Sequence, residues 1–229
     1  MPDRRKNIRF AVMLSAIGLL VVFVIYSPAL HGPFLFDDLY LPFAVPQMRS
    51  APLAVWLANA HTRVALIFTY WLNYQLSATR STFGYHLVNV LLHLLNGLLV
   101  YLVVSGILSK QPRAESKRRL LASFAALLFL VHPLQTEAVS YIAGRSETLS
   151  AAFCLAAFAI FLRQKSAAIS TSAALAILLL FALACLTKEH SLALLPLLLL
   201  TDYYWNPGFT LAGIRANRRL YLPIAVLGL

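Results

Sequence analysis

Apolar residues run along this chain in long unbroken blocks separated by short polar stretches. The blocks cover residues 9–30, 83–108, 120 to about 133, 147–162, 167–187 and 190–203, and a last one opens at 219. They lack the strict apolar/polar alternation of barrel strands, and in hydrocarbon every backbone polar group must be satisfied internally, so the solution they predict is helical. The pattern therefore predicts an all-α fold: a polytopic integral membrane helix bundle of about six to seven transmembrane helices. Residues 1–229 form one membrane domain. Crossing the hydrocarbon takes about 20 residues, and the final block, Arg219 to Leu229, is too short for this. It looks like the start of a helix that continues, which makes the chain the N-terminal part of something longer.

The pattern changes between residues 31 and 82. This segment is too long for a connector and too apolar for a disordered loop. Within it Arg63 to Leu76 reads RVALIFTYWLNYQL. At 100° per residue Val64, Ile67, Phe68, Trp71 and Leu72 share one face while Thr69 and Asn73 share the other, which predicts a helix lying in the membrane interface. Leu66 and Tyr70 break the pattern. Pro52 to Ala60 forms a second, shorter candidate of the same kind. The third apolar block is short as well, which places His132 and Glu137 near the membrane–water boundary.

Composition agrees with this picture and charge orients it. Hydrophobic residues make up 60% and charged residues 12% of the chain, against about 45–50% and 25% in soluble domains. A net charge of +11 would suggest a nucleic-acid partner in a soluble protein. Here the basic residues collect at alternate loops: Arg4, Arg5, Lys6 and Arg9; Lys110, Arg113, Lys117, Arg118 and Arg119; Arg163 and Lys165; Arg215, Arg218 and Arg219. The positive-inside rule puts those loops and the N-terminus in the cytoplasm, so the charge calls for no nucleic acid. The first block exceeds the usual length of a signal-peptide core, which makes it an uncleaved helix. Cys154 and Cys185 fall in separate apolar blocks and are packing residues.

The few acidic residues then stand out. Asp37, Asp38, Glu137, Glu147 and Glu189 all map to the side that the basic loops avoid. Carboxylates contribute little to orientation, and at membrane depth they usually mark a site. Asp37 and Asp38, in GPFLFDDLY, can cap a helix start or supply a general base. In HPLQTEAVSYIAGRSE, a continuous helix after Pro133 would put Glu137, Ser140, Tyr141, Gly144 and Arg145 on one polar face. Arg145 could then clamp a phosphate while Glu137 holds it in place. A structural Glu–Arg pair is the alternative.

Two further groups complete the set. His86, Asn89, His93 and Asn96 share one face of the second block. They suit interhelical hydrogen bonding better than a metal, with His86 nearest the outer end and so within reach of a ligand. Lys188, Glu189 and His190 in LTKEHS form an outward turn where Lys188 could meet a phosphate as a point charge. An ordinary solvated turn is the alternative.

The succession FDD, YWLNYQL, GYHLVNVLLHLLN, HPLQTEAVSYIAGRSE and LTKEHSLALLP, spanning about Phe34 to Pro196, resembles the membrane region of the transmembrane and tetratricopeptide-repeat-containing (TMTC-like) O-mannosyltransferases, which are GT-C glycosyltransferases. The resemblance implies a polytopic fold with interfacial helices in the first outward loop. It also implies transfer of a sugar, mannose or a similar hexose, from a polyprenyl-phosphate donor to a hydroxyl of a protein or glycan acceptor, with inversion, outside the cytoplasm. In related mannosyltransferases the first acidic residue of a similarly placed pair acts as base, which carries over to Asp37, with Asp38 beside it.

The donor phosphate is then expected near Arg145 and Lys188, with His86, His132, Glu137, Tyr141 and Glu189 in support. No cofactor is required, although a divalent metal between the carboxylates is compatible with the pair. The membrane is a bacterial inner membrane, or that of the endoplasmic reticulum in a eukaryote. The rival readings are a transporter or lipid flippase, and a non-catalytic membrane anchor for a repeat domain. Transporters need no 50-residue outward loop of this kind.

Overall fold

The structure is a computed structural model that describes residues 4–77, 81–112, 114–164, 166–206 and 208–227, and among these every regular element is helical. Arg113 and Lys165, two of the basic loop residues, lie outside the described residues. Helix α1 (Arg4–Tyr26) tightens into a 3-10 turn at Ser27–His31. The segment that follows carries a second 3-10 turn at Phe36–Tyr40 and three helices, α2 (Pro46–Arg49), α3 (Leu53–Ala58) and α4 (Val64–Ser77). The central helix α5 (Phe83–Leu108) packs against α6 (Glu115–Val131) and α8 (Arg145–Leu162), with the short α7 (Gln135–Ser140) between those two in sequence. Helix α9 (Thr171–Cys185) packs on α8, and α10 (Leu194–Trp205), α11 (Ala212–Ala216) and α12 (Arg218–Leu227) close that side.

The central helix turns its polar side inward. His86, Asn89, His93 and Asn96 are all buried, whereas Leu91, Leu95 and Leu98 are exposed. Asn96 donates to the Thr148 carbonyl at 2.8 Å, and His93 Nε2 lies 3.0 Å from the Leu130 carbonyl. In water this arrangement would cost free energy; in hydrocarbon, leucine is indifferent to its neighbour and polar side chains seek one another across helices. The outer faces of α6 (Leu120, Phe124, Leu128), α9 (Leu175, Leu179) and α10 (Leu197, Leu200) are apolar in the same way. Close approach of α5 and α6 depends on Gly97, where a Cβ would fall 2.6 Å from the Leu130 side chain.

Among the described residues two helices, Phe83–Leu108 and Arg145–Leu162, are long and apolar enough to cross a membrane by length and composition, and Ala16–His31 and Thr171–Cys185 are shorter apolar helices. The sequence pattern anticipated six or seven such crossings.

Helix α4 forms where the apolar pattern predicted it, and its predicted stripe is divided: Ile67 is buried, Val64 and Trp71 are half-buried, and Phe68 and Leu72 face outward. Leu66, Tyr70 and Asn73 are buried, and Phe68, Leu72 and Leu76 are exposed. Leu66 and Tyr70, which break the predicted stripe, pack inward together with Ile67 from the stripe itself. They do so because Tyr70 and Asn73 satisfy polar partners in the interior, while an apolar face turned outward carries no penalty beside lipid.

Candidate active site

The acidic pair divides its labour. Asp38 is 1% exposed, and its two carboxylate oxygens accept separate backbone hydrogen bonds, Oδ2 from Leu35 N–H at 3.1 Å and Oδ1 from Ala143 N–H at 2.8 Å. Burial pushes its carboxyl above the usual carboxylate range, while the two N–H groups and His86 act in the opposite direction. Asp37 is exposed, and its backbone N–H donates to the Tyr141 hydroxyl at 2.7 Å. Phe36, just before the pair, has φ 45°, a left-handed conformation that a bulky residue rarely adopts and that typically persists where surrounding contacts impose it.

The opposite wall is the turn between α7 and α8. A continuous helix was expected here, with Glu137 and Arg145 on one face. Instead α7 ends at Ser140, Tyr141 is extended, and α8 begins at Arg145. The turn's backbone groups find tertiary partners in place of helical ones. The Tyr141 carbonyl accepts from Asn89 Nδ2 at 2.9 Å, the Ile142 carbonyl accepts from the Tyr70 hydroxyl at 2.9 Å, and Ala143 N–H goes to Asp38. Each buried group is thereby satisfied, which removes the penalty for leaving the helix. Gly144 closes the turn, and a Cβ there would lie 2.8 Å from the Ala138 carbonyl oxygen.

Because of that break, Arg145 does not join Glu137. It is fully buried beneath the turn, where Nε donates to Asn89 Oδ1 at 3.0 Å and Nη2 donates to Asn73 Oδ1 at 2.7 Å and to the Tyr85 carbonyl at 3.0 Å. Nη1 reaches the Thr69 carbonyl at 3.4 Å, and the guanidinium lies 4.5 Å from the centre of the Tyr70 ring. The cation thus has neutral dipoles and an aromatic face for partners, and it ties α4, α5 and α8 together. Arg145 is not among the residues that line the neighbouring cavity described next.

Between the two walls lies a cavity of about 660 Å³. Asp37, Glu137, Tyr141, Glu147, Lys188 and Arg63 all line it. Of the residues singled out from the sequence, it thus gathers Asp37, Glu137, Tyr141, Gly144, Glu147 and Lys188. Burial raises the Tyr141 hydroxyl above its ordinary pKa, as do the nearby Asp37 and Asp38 carboxylates. Lys188 is ion-paired with Glu147, whose second oxygen lies 3.5 Å from His190 Nε2.

The other candidates stand outside the cavity lining. Glu189 pairs with Arg63 at 3.4 Å, and its carboxyl is lowered first by its own backbone N–H and then by Arg63. His132 ends α6, its Nδ1 accepting from Leu134 N–H at 3.3 Å. His86 is buried near Gly32. No group of three or more His, Cys, Asp or Glu side chains converges to hold a metal among the described residues.

Arg63 is an addition that the sequence pattern did not place in the site, whereas Glu147 is one of the acidic residues that the pattern mapped to this side. Arg63 carried a usable signal, since it is a basic residue on the side that the positive-inside rule leaves poor in Lys and Arg.

These features define a helical bundle with lipid-compatible outer faces and a cavity, lined by acids and a lysine, between its outer loops. Comparison with known proteins gives the relationship. The chain is 33% identical over 214 residues to "Protein O-mannosyl-transferase F38B6.6" of Caenorhabditis elegans, covering 87% of this chain and 29% of that protein. It is 34% identical over 165 residues to "Protein O-mannosyl-transferase TMTC3" of Homo sapiens, covering 70% and 17%. To human "Protein O-mannosyl-transferase TMTC4" it is 35% identical over 148 residues, covering 59% and 20%. The chain belongs to the TMTC-like family. It spans less than a third of the length of these relatives. No family model and no solved structure matches it.

Proposed function

We infer that the chain is the membrane region of a glycosyltransferase that moves a sugar, mannose or a similar hexose, from a polyprenyl-phosphate carrier to a hydroxyl of a protein acceptor at the extracytoplasmic face. The observation that carries this reading is the exposed Asp37 on a cavity that also holds Tyr141, Glu137 and Lys188, in a chain whose relatives are named protein O-mannosyl-transferases.

In this mechanism Asp37 takes the proton of the acceptor hydroxyl as its oxygen attacks the anomeric carbon. The bond from that carbon to the carrier phosphate breaks on the opposite side, giving inversion, and the phosphate leaves with both bonding electrons. Lys188, with Arg63 on the same cavity, offsets the charge that develops on the leaving phosphate. Asp38 takes no proton from substrate; it fixes residues 35–38 against the turn at 141–143 so that the neighbouring carboxylate faces the cavity. Tyr141 orients the Asp37 backbone.

The same reading has the chain crossing the membrane six or seven times from a cytoplasmic N-terminus, in a bacterial inner membrane or in the endoplasmic reticulum of a eukaryote. The apolar outer faces of α6, α9 and α10 support the crossings that their lengths alone do not. The test is transfer of labelled mannose from a synthetic polyprenyl-phosphate donor to a Ser/Thr peptide by membranes containing the full-length protein. Label in the peptide is expected; donor consumption with no peptide labelling would reject a hydroxyl acceptor on protein.

A further inference from the structure

A second cavity, of about 440 Å³, lies at the opposite end of the bundle, between α9 and the α11–α12 corner. Arg215, Arg218 and Arg219 line one side of it, and all three are exposed. No described carboxylate forms an ion pair with any of them. Asp202, the acid nearest in the fold, is buried, and it accepts hydrogen bonds from Asn217 Nδ2 at 2.7 Å, the Tyr221 hydroxyl at 2.6 Å and Asn206 Nδ2 at 3.0 Å. It forms no ion pair with any of the three arginines.

The other side of the cavity is the first two turns of α9. Thr171 stands at the helix N-terminus, and Leu175 and Leu178 follow it on the same face at the i+4 and i+7 positions. The lining therefore changes in order, from three cations and a helix N-terminus to an apolar rail that runs toward the middle of the bundle. A soluble anion would use only the first part. A ligand with an anionic head and a hydrocarbon tail uses both.

The corner is also held rigidly. Asn217 is 1% exposed, its Oδ1 accepts from Ile169 N–H at 2.8 Å, and it is hydrogen-bonded to Asp202, so α10, the α9 entry and the α11–α12 turn move as one. The three arginines are thus displayed from a fixed frame next to the rail rather than from a loose loop.

We propose that this corner binds an anionic glycerophospholipid of the cytoplasmic leaflet, its phosphodiester among Arg215, Arg218 and Arg219 and one acyl chain along Leu175 and Leu178. This goes beyond sugar transfer and is independent of Asp37. The positive-inside rule accounts for basic residues on this side of the membrane. It does not account for an apolar rail that begins where they end.

The full chain, purified in a neutral detergent, is titrated with phosphatidylglycerol, phosphatidylcholine or inorganic phosphate, and bound species are counted by native mass spectrometry. Phosphatidylglycerol is expected to bind about tenfold more tightly than phosphatidylcholine, as a few basic residues at a membrane surface allow. Inorganic phosphate should not compete at the same concentrations. Arg215→Gln/Arg218→Gln/Arg219→Gln should reduce the preference to less than about twofold, while Lys117→Gln/Arg119→Gln, on another basic loop, should leave it unchanged. If the triple variant does not fold, Arg218→Gln alone should show a partial loss. Retention of the preference in the arginine variants, an equal loss in the control pair, or full competition by inorganic phosphate would each overturn the proposal.

Discussion

The Asp38 carboxylate and the Ala143 backbone N–H, 105 residues apart in sequence, are joined by a 2.8 Å hydrogen bond that fastens the segment between α1 and α2 to the entrance of α8. With Leu35 N–H on its other oxygen, Asp38 is an internal clasp. Removing it strands two N–H groups, so Asp38→Ala should lower unfolding stability by about 1–3 kcal/mol for each donor left buried. Asp38→Asn keeps one acceptor and should cost less. Thermal unfolding in detergent of the two variants checks the order.

The same residue should leave a mark on pH dependence. Its carboxyl is raised by burial, so the folded state holds this proton more tightly than the unfolded chain. Stability from this group is therefore fully present below the ordinary carboxylate value of about 3.9 and is lost as pH rises through the raised native value. Unfolding midpoints measured from acid upward should show this decline in the wild type, and Asp38→Asn should remove that component.

Arg145 should behave as a structural hub. Arg145→Ala leaves Asn89, Asn73 and the Tyr85 carbonyl without their donor, each loss costing about 1–3 kcal/mol. Arg145→Lys cannot reproduce the planar fork and should recover only part of this. Expression level and thermal stability are expected to fall in both, whereas donor affinity measured on whatever Arg145→Lys protein folds should stay near wild type.

Two glycines should differ in cost. At Gly97 an added Cβ meets Cγ and both Cδ atoms of the buried Leu130 side chain, which must repack, but at Gly144 it meets the Ala138 and Tyr141 carbonyl oxygens, which cannot shift without breaking the turn. Gly144→Ala should therefore destabilise by about 1–3 kcal/mol, in the range of overpacking, and Gly97→Ala by less. Thermal unfolding of the pair measures the difference.

Much of this architecture was legible in the sequence, for physical reasons that can be named. Long apolar blocks marked the helices, and the polar face of α5 marked an interior row because Asn and His are costly beside lipid. The break at 141–144 was not legible. Local pattern favoured a continuous helix there, and only Asp38, Tyr70 and Asn89, remote in sequence, make leaving it cheap. Arg145 was misplaced for the same reason, since one helical face was drawn through a turn. The different fates of Asp37 and Asp38 were equally invisible: adjacent residues with the same side chain are separated only by the tertiary contact that one of them makes. The packing of α4 was legible only in part, because periodicity reports an apolar face without saying which of its residues meet protein, as Ile67 does, and which face outward, as Phe68 and Leu72 do.

The central claim is that the Asp37 carboxylate acts as the base in sugar transfer, and it is tested most directly by Asp37→Asn in the full-length protein. The assay is transfer from a polyprenyl-phosphate mannose donor to a hydroxyl peptide, with Asp38→Asn in parallel. Asp37→Asn is expected to fold with wild-type stability and to lose transfer by about 10²–10⁴-fold, the usual contribution of a general base. Asp38→Asn should lose stability and retain part of the activity. Transfer by folded Asp37→Asn at the wild-type rate would rule out Asp37 as the base.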